Sequence, residues 1–260
     1  MESNGRYTIA AVSRAIELID AFLQPPHQFG LTELSKATGL SKNQTFRMLQ
    51  TLVDGNVVVM DPDTKRYSLG YRVLEWGVMA HKGSPLAVAA SPVLDRLVEE
   101  VGETIVLTAR GTDLACICVD KRESGTHALQ ITARVGRRIP FHAGAGSKCI
   151  FAHSSPEFVQ EYLDAASPLE RYTERTVTDP DELMEELQQI QRQGFSISDE
   201  DIDPGACSIA APITDHTGQV VAAVSIASPK TRFTEEDIEV RKRAVTAAAR
   251  DVSQQMMHLF

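Results

Sequence analysis

Between residues 31 and 54 the chain reads as two short amphipathic helices joined by a glycine turn, and few folds accommodate that arrangement. Leu31 to Thr38 has helical periodicity with Leu31 and Leu34 directed inward, and Gly39 stands where such a helix exits. Ser41 then opens a second helix. Its hydroxyl is spaced to accept the Gln44 amide while the Gln44 side chain reaches back, the pattern of a capping box. Thr45, Leu49, Leu52 and Val53 form one inward stripe, with Phe46 at its edge. Lys42, Asn43, Arg47 and Gln50 fall largely outside it. A helix, a tight turn and a capped second helix make a helix-turn-helix.

The flanks extend this unit. Thr8 to Leu23 predicts an amphipathic helix on Ile9, Val12, Ile16, Ile19 and Leu23, stopped by Gln24-Pro25-Pro26. After Gly55-Asn56, the β-prone runs Val57 to Met60 and Lys65 to Leu69 are separated by the turn Asp61-Pro62-Asp63-Thr64. That is a two-stranded wing, so residues 1–70 predict a winged helix-turn-helix. Residues 71–84 predict a linker helix, and Gly83-Ser84-Pro85 marks a boundary. Its apolar Val73, Leu74, Trp76 and Val78 suit either a dimer seam or internal packing.

The second helix of such a motif can lie in the major groove of DNA. Arg and Lys donate to guanine there, and Asn and Gln pair with adenine. Lys42, Asn43, Gln44 and Arg47 are the expected base-reading set, and Lys65 and Arg66 on the wing the expected phosphate or minor-groove contacts. Arg14 and Lys36 are further phosphate candidates. The bland alternative is a structural three-helix bundle whose polar residues are merely solvated. A net charge of -9 looks wrong for a nucleic-acid binder, but it is unevenly spread. Residues 1–72 carry eight Lys/Arg against seven Asp/Glu, leaving -10 on the rest. DNA contact must therefore be local rather than spread over a broad basic face.

Residues 85–260 mix helices and strands. Helices are expected over 86–101, 148–153, 156–165, 181–193 and 234–259, the last with Thr234 as its cap. Strands are expected over 104–109, 114–121, 128–135, 195–198, 208–213 and 220–227. Strands in adjacent runs favour an antiparallel sheet flanked by helices, so the overall class is α+β. No apolar run approaches the roughly 18 residues of a membrane span. Residues 1–11 lack the basic and apolar segments of a secretory signal. Cys116, Cys118, Cys149 and Cys207 form neither a CxxC pair nor a zinc-type spacing, which reads as reduced thiols in a cytoplasmic protein.

The strongest local signal in this part is His142 to Lys148. Gly144, Ala145 and Gly146 leave the backbone open to a ligand, and a helix starting at Ser147 or Lys148 would offer free amides to a carboxylate. The alternative is a turn that only needs glycine. The acidic run Asp199, Glu200, Asp201 and Asp203 is either a solvated loop or, if turned inward, a reason to prefer an amide, hydroxyl or amine-bearing ligand. Arg134, Arg137 and Arg138 either restore the balance or sit in water. Cys116 and Cys118 share one face of a strand, directed toward the core. Cys149 with His142 is a conceivable nucleophile pair, but Cys149 reads as the inside of a helix and has no third, orienting residue. His142, Cys149 and His153 match no standard zinc spacing. No catalytic residue, metal or cofactor is therefore assigned.

Taken in order, several stretches resemble one family. They are Ser13 to Ile19, Leu31 to Leu34, Gly39 to Asn43, Phe46 to Leu49, Tyr67 to Gly70, Gly102 to Thr104, His142 to Lys148, Gly194-Phe195, and Ala210 to Ile213 with Gly218. Over essentially the whole chain the sequence resembles the IclR family of bacterial transcriptional regulators. Gln44 departs from the pattern, since such regulators usually carry a small hydroxyl residue there, and its capping and reading roles compete. The resemblance implies a GAF-like effector domain over 85–260, and dimers formed through the N-terminal domains, often paired into tetramers. It also implies an effector pocket at Ala145, Gly146, Ser198, Asp199, Ser208, Ser225 and Ala227, with Leu129, Ile131 and Ile139 as an apolar wall. Cys207 lies one position from an expected pocket residue.

The expected function is a ligand-responsive regulator of a catabolic operon. Its partners would be double-stranded operator DNA, a small organic effector (an acid, amide or related metabolite) and further copies of itself, with no membrane. The competing class is a small-molecule-binding or hydrolytic enzyme whose N-terminal bundle only mediates assembly. Salt-sensitive DNA binding lost in Arg47→Ala speaks for the first, and turnover lost in Cys149→Ala for the second.

Overall fold

The computed structural model describes residues 7–111, 114–127, 131 and 133–257. The chain divides into two compact units, Met1–His81 and Lys82–Phe260. No helix among the described residues is long and apolar enough to cross a membrane.

The first unit runs α1 (Ala10–Asp20), a 3-10 turn (Ala21–Leu23), α2 (Leu31–Thr38), α3 (Lys42–Asp54), β1 (Val58–Met60), β2 (Tyr67–Leu69) and α4 (Tyr71–Lys82). Leu18, Phe22, Leu34, Leu49, Val58 and Tyr67 form its core. α2 ends on Gly39 at φ +66°, a left-handed position that glycine takes without strain. β1 and β2 pair antiparallel, with Val58 opposite Leu69. Arg66 ties this wing down by donating to Gln28 O at 2.7 Å and Glu33 Oε2 at 2.8 Å.

The first helix differs from expectation. Leu18 and Phe22 turn inward, whereas Ile9, Val12, Ile16 and Leu23 are exposed. Residues two apart on a helix lie roughly 200° apart, so Ile16 and Leu18 sit on opposite sides. The helix has two apolar faces, and periodicity shows both without showing which one a neighbour covers. α4 buries no residue at all. Tyr71, Leu74, Trp76, Val78 and Met79 are exposed, so internal packing of this helix is not what the molecule does.

The second unit runs α5 (Pro85–Val101), β3 (Thr104–Arg110), β4 (Cys116–Arg122), β5 (Arg138–Ile139), α6 (Ala145–Ala152), α7 (Pro156–Ala165), α8 (Pro180–Gln193), β6 (Ser196–Asp199), β7 (Ala206–Thr214), β8 (Val220–Pro229) and α9 (Glu235–Met257). Among the described residues six strands form one sheet in the order β5-β4-β3-β8-β7-β6, every pair antiparallel. Side chains alternate between its faces. Ile105, Leu107, Ile209, Val224 and Ile226 pack under α5 and α9 with Leu94, Val245 and Val252. Cys116, Ala210 and Ala223 face the opposite layer, where α6, α7 and α8 contribute Ile150, Phe151, Tyr162, Leu183 and Leu187.

Two local expectations need correction. Of the strand expected over 128–135, residues 128–130 and 132, Leu129 among them, lie outside the described residues. Ile131 and 133–135 carry no strand, and the short strand that pairs with β4 is instead Arg138–Ile139. α6 begins at Ala145, three residues before the expected Lys148. Gly144, at φ +82°, turns the chain into the helix with no side-chain cap. The cap expected on the last helix is present, with the Asp237 amide donating to Thr234 Oγ1 at 3.3 Å.

Candidate functional site

In the first unit the candidate surface is the N-terminal half of α3. Ser41 caps it: the Gln44 amide donates to Ser41 Oγ at 3.3 Å, and the Ser41 amide donates to Gln44 Oε1 at 3.2 Å. Thr45 and Leu49 are fully buried on one side. Lys42, Asn43, Gln44 and Arg47 are all exposed on the other, and so is Lys65 at the wing tip. These five side chains make no ion pair with the protein among the described residues. Gln44 spends its carbonyl oxygen on the cap, which leaves its amide NH2 free to donate. Arg66 is placed differently. Its guanidinium holds the wing onto α2 through Glu33, so it is committed to the fold rather than presented outward.

In the second unit the edges of β3, β8, β7 and β6 and the first turn of α6 enclose a cavity of about 90 Å³. Ile131, Ile139, Ala145, Gly146, Ser198, Ser208, Ser225 and Ala227 all line it. Asp199 is not among the lining residues. Its carboxylate pairs outside with Lys230 and with Arg175, at 2.5 Å for the latter, and these partners hold it below the usual aspartate range against the opposing effect of burial. Leu129 lies outside the described residues. The cavity also takes in Val106, Thr108, Cys118, Arg134, Arg137, Ser147, Ile202, Asp203 and Cys207. Strand alternation would have found Val106 and Thr108, which face opposite to Ile105 and Leu107.

Gly146 is where the helix meets the sheet. A Cβ there would lie 2.9 Å from Thr108 Oγ1 and 3.1 Å from Thr108 Cβ, so only glycine lets the first turn of α6 sit this close to β3. Beneath the cavity lies a buried charge network. Lys148 Nζ is 2.5 Å from Glu186 Oε1 and 2.6 Å from Asp201 Oδ2. Asp201 Oδ1 accepts from Ser198 Oγ and, at 3.2 Å, from the Gly144 amide. Burial works against a charged Lys148, but the two carboxylates outweigh it and raise its pKa above the usual lysine value. The network fixes Gly144, and with it the start of α6, relative to β6.

The residues weighed for catalysis do not assemble. Cys149 is fully buried, and burial pushes its thiol up to about 12, which removes the thiolate that a nucleophile needs. His142 is held between the Tyr162 hydroxyl at 2.5 Å and Glu170 O at 2.9 Å. His153 Nδ1 faces its own helix at Cys149 O, 2.8 Å away. Among the described residues no group of three His, Cys, Asp or Glu side chains is placed to hold a metal.

Comparison with known proteins agrees with this geometry. The family model for the IclR helix-turn-helix domain matches residues 11–62, and that for the bacterial transcriptional regulator IclR C-terminal domain matches residues 79–254. The HTH-type transcriptional regulator KdgR of Escherichia coli (strain K12) is 30% identical over 249 residues, covering 96% of this chain and 93% of the relative. Among solved structures, an IclR transcriptional regulator from Alicyclobacillus acidocaldarius superposes with a TM-score of 0.86 at 25% identity, covering 96% of this chain and 100% of the other. An IclR homologue from Microbacterium hydrocarbonoxydans, complexed with 4-hydroxybenzoate, superposes with a TM-score of 0.77 at 25% identity, covering 95% and 99%. Both matched domains belong to regulators rather than enzymes. With the exposed capped helix and the cavity over the sheet, these matches lead to one conclusion: the chain belongs to the IclR family of bacterial transcriptional regulators and acts through its DNA-binding helix-turn-helix.

Proposed function

We propose that this regulator reads operator DNA with Lys42, Asn43, Gln44 and Arg47, and that Lys65 on the wing contacts the backbone or minor groove. The observation that carries this is α3 itself. Its cap and its buried Thr45–Leu49 side fix the helix, while Lys42, Asn43, Gln44 and Arg47 face solvent. A rigid helix pays little ordering cost when it enters a groove, and each bidentate base contact is worth about 1–3 kcal/mol of discrimination.

The working form is a homodimer, or a dimer of dimers, in the cytoplasm. Supporting this, Leu74, Trp76 and Met79 on α4 and Val12 and Ile16 on α1 leave a large apolar surface bare in the single chain. The effector is a small organic molecule bound in the cavity over β3 and β8. The 4-hydroxybenzoate complex of the Microbacterium homologue supports the idea that this fold holds such ligands. Binding changes operator affinity only if the effector has unequal affinity for the two DNA-binding arrangements of the dimer.

The test is a mobility-shift titration with the promoter region flanking the chain's own gene. Wild type should bind with selectivity over random duplex and weaken as salt rises. Arg47→Ala and Asn43→Ala should lose selectivity, about 5- to 150-fold each, while Lys65→Ala should lower affinity for all duplexes alike and reduce the salt slope. Selective binding that survives Arg47→Ala and Asn43→Ala would remove α3 from the reading role.

A further inference from the structure

The polar groups around the cavity divide into those already satisfied by the protein and those that are not. Ser198 donates to Asp201, Ser225 donates to Val106 O at 3.4 Å, and Cys207 Sγ lies 3.1 Å from Asp199. Arg137 makes a two-pronged pair with Asp203 at 2.7 and 3.0 Å, so the one carboxylate lining the cavity among the described residues is neutralised by its own arginine. Among those that remain open are three features. The first-turn amides of α6, on Ala145, Gly146 and Ser147, have no partner inside the helix, and no side chain caps them. Ser147 is 1% exposed, lines the cavity, and its Oγ makes no hydrogen bond of normal geometry; the Cys116 thiol beside it is a weak partner. A buried hydroxyl left in this state favours a ligand that completes it. Arg134 also lines the cavity and has no carboxylate partner among the described residues.

We propose that this cavity takes a short organic dianion, with one carboxylate on the Ala145–Ser147 amides and Ser147 Oγ and the second acidic group on Arg134. The inference rests on the cavity being the effector site. The helix end carries about half a positive charge, Arg134 carries a full one, and among the described lining residues the one carboxylate, Asp203, is already paired with Arg137. A monoanion can satisfy only one of these two features. A dianion can satisfy both, and the apolar Val106, Ile131, Ile139 and Ala227 surround the carbon chain between its ends. A cavity of about 90 Å³ restricts that chain to a few carbons.

The experiment is isothermal titration of the full chain at fixed ionic strength with malonate, succinate, glutarate and adipate, and with succinamate, which keeps the shape of succinate and loses one charge. At least one diacid should bind, and succinate should bind at least tenfold more tightly than succinamate. Arg134→Gln should collapse that preference to less than twofold. Ser147→Ala should weaken succinate and succinamate by the same factor. The dianion reading is overturned if succinate and succinamate bind alike, if the preference survives Arg134→Gln, or if no diacid binds to protein that is folded by circular dichroism. Promoter mobility shift on the same preparation separates the levels. Tight diacid binding that leaves the DNA shift unchanged sinks the effector role and not the dianion site. A diacid-insensitive protein whose DNA shift responds to succinamate sinks the dianion and not the effector role.

Discussion

Ser41 makes the reading helix independent of the residues it presents. Removing its hydroxyl in Ser41→Ala should cost about 1 kcal/mol of stability in the first unit, measurable as a lower melting temperature with no change in circular dichroism at low temperature. This cap was legible because it is local: the Ser-x-x-Gln spacing closes over three residues with no help from the rest of the fold. The competing roles of Gln44 were legible too; the structure puts its Oε1 in the cap, and its amide NH2 is left for the proposed reading role. His142 was visible only as a histidine beside glycines, since its partners come from distant Tyr162 and Glu170. Burial holds its pKa below the usual 6.5 despite the opposing Glu170 carbonyl and Asp201 charge. The unfolded chain gains that proton as pH falls past about 6.5 and the folded chain resists it, so stability is full above that pH and drains below it. Wild type should therefore lose melting temperature more steeply than His142→Gln as the pH is lowered from 6.5.

At the level of elements, the position of α6 depends on charges that sequence could not pair. In the sequence Lys148 stood only at the expected opening of a helix, and Asp201 belonged to an acidic run that read either as a solvated loop or as turned inward. Only the fold brings them together with Glu186 from α8, 38 residues away from Lys148 in the chain. Lys148→Met should leave two carboxylates facing each other in a buried place and cost about 3–5 kcal/mol in denaturant unfolding. Combining it with Asp201→Asn and Glu186→Gln should return much of that loss, because neutral groups need no counter-charge; no recovery would mean that Lys148 acts through packing alone. The α1 stripe shows the opposite limit. Its period picked out Ile9, Val12, Ile16, Ile19 and Leu23, but the buried side is the one where α2 and α3 close over Leu18 and Phe22. The strand expected over 128–135 had the same weakness, as β-prone residues do not by themselves supply a pairing partner.

For the whole molecule, the antiparallel sheet and its two helical layers followed from strands grouped in runs, and the winged unit from its turns. What sequence left open was whether α4 packs inward; its Leu74, Trp76 and Met79 are bare in the single chain, which is the basis of the proposed dimer seam. Trp76→Glu combined with Leu74→Glu should shift the sedimentation coefficient toward a single chain while far-ultraviolet circular dichroism stays unchanged. Operator affinity should fall with it, since two half-sites are then held by separate molecules; an unchanged oligomer would move the seam elsewhere. The alternation along β3, β7 and β8 reaches further still. Neighbouring letters of the gene answer to different pressures there: Val106, Thr108, Ser208, Ser225 and Ala227 line the proposed effector cavity, while Ile105, Leu107, Ile209, Val224 and Ile226 pack into the scaffold. Descendants of this chain can thus drift in chemical taste through every second codon while the architecture that reports the taste is inherited intact.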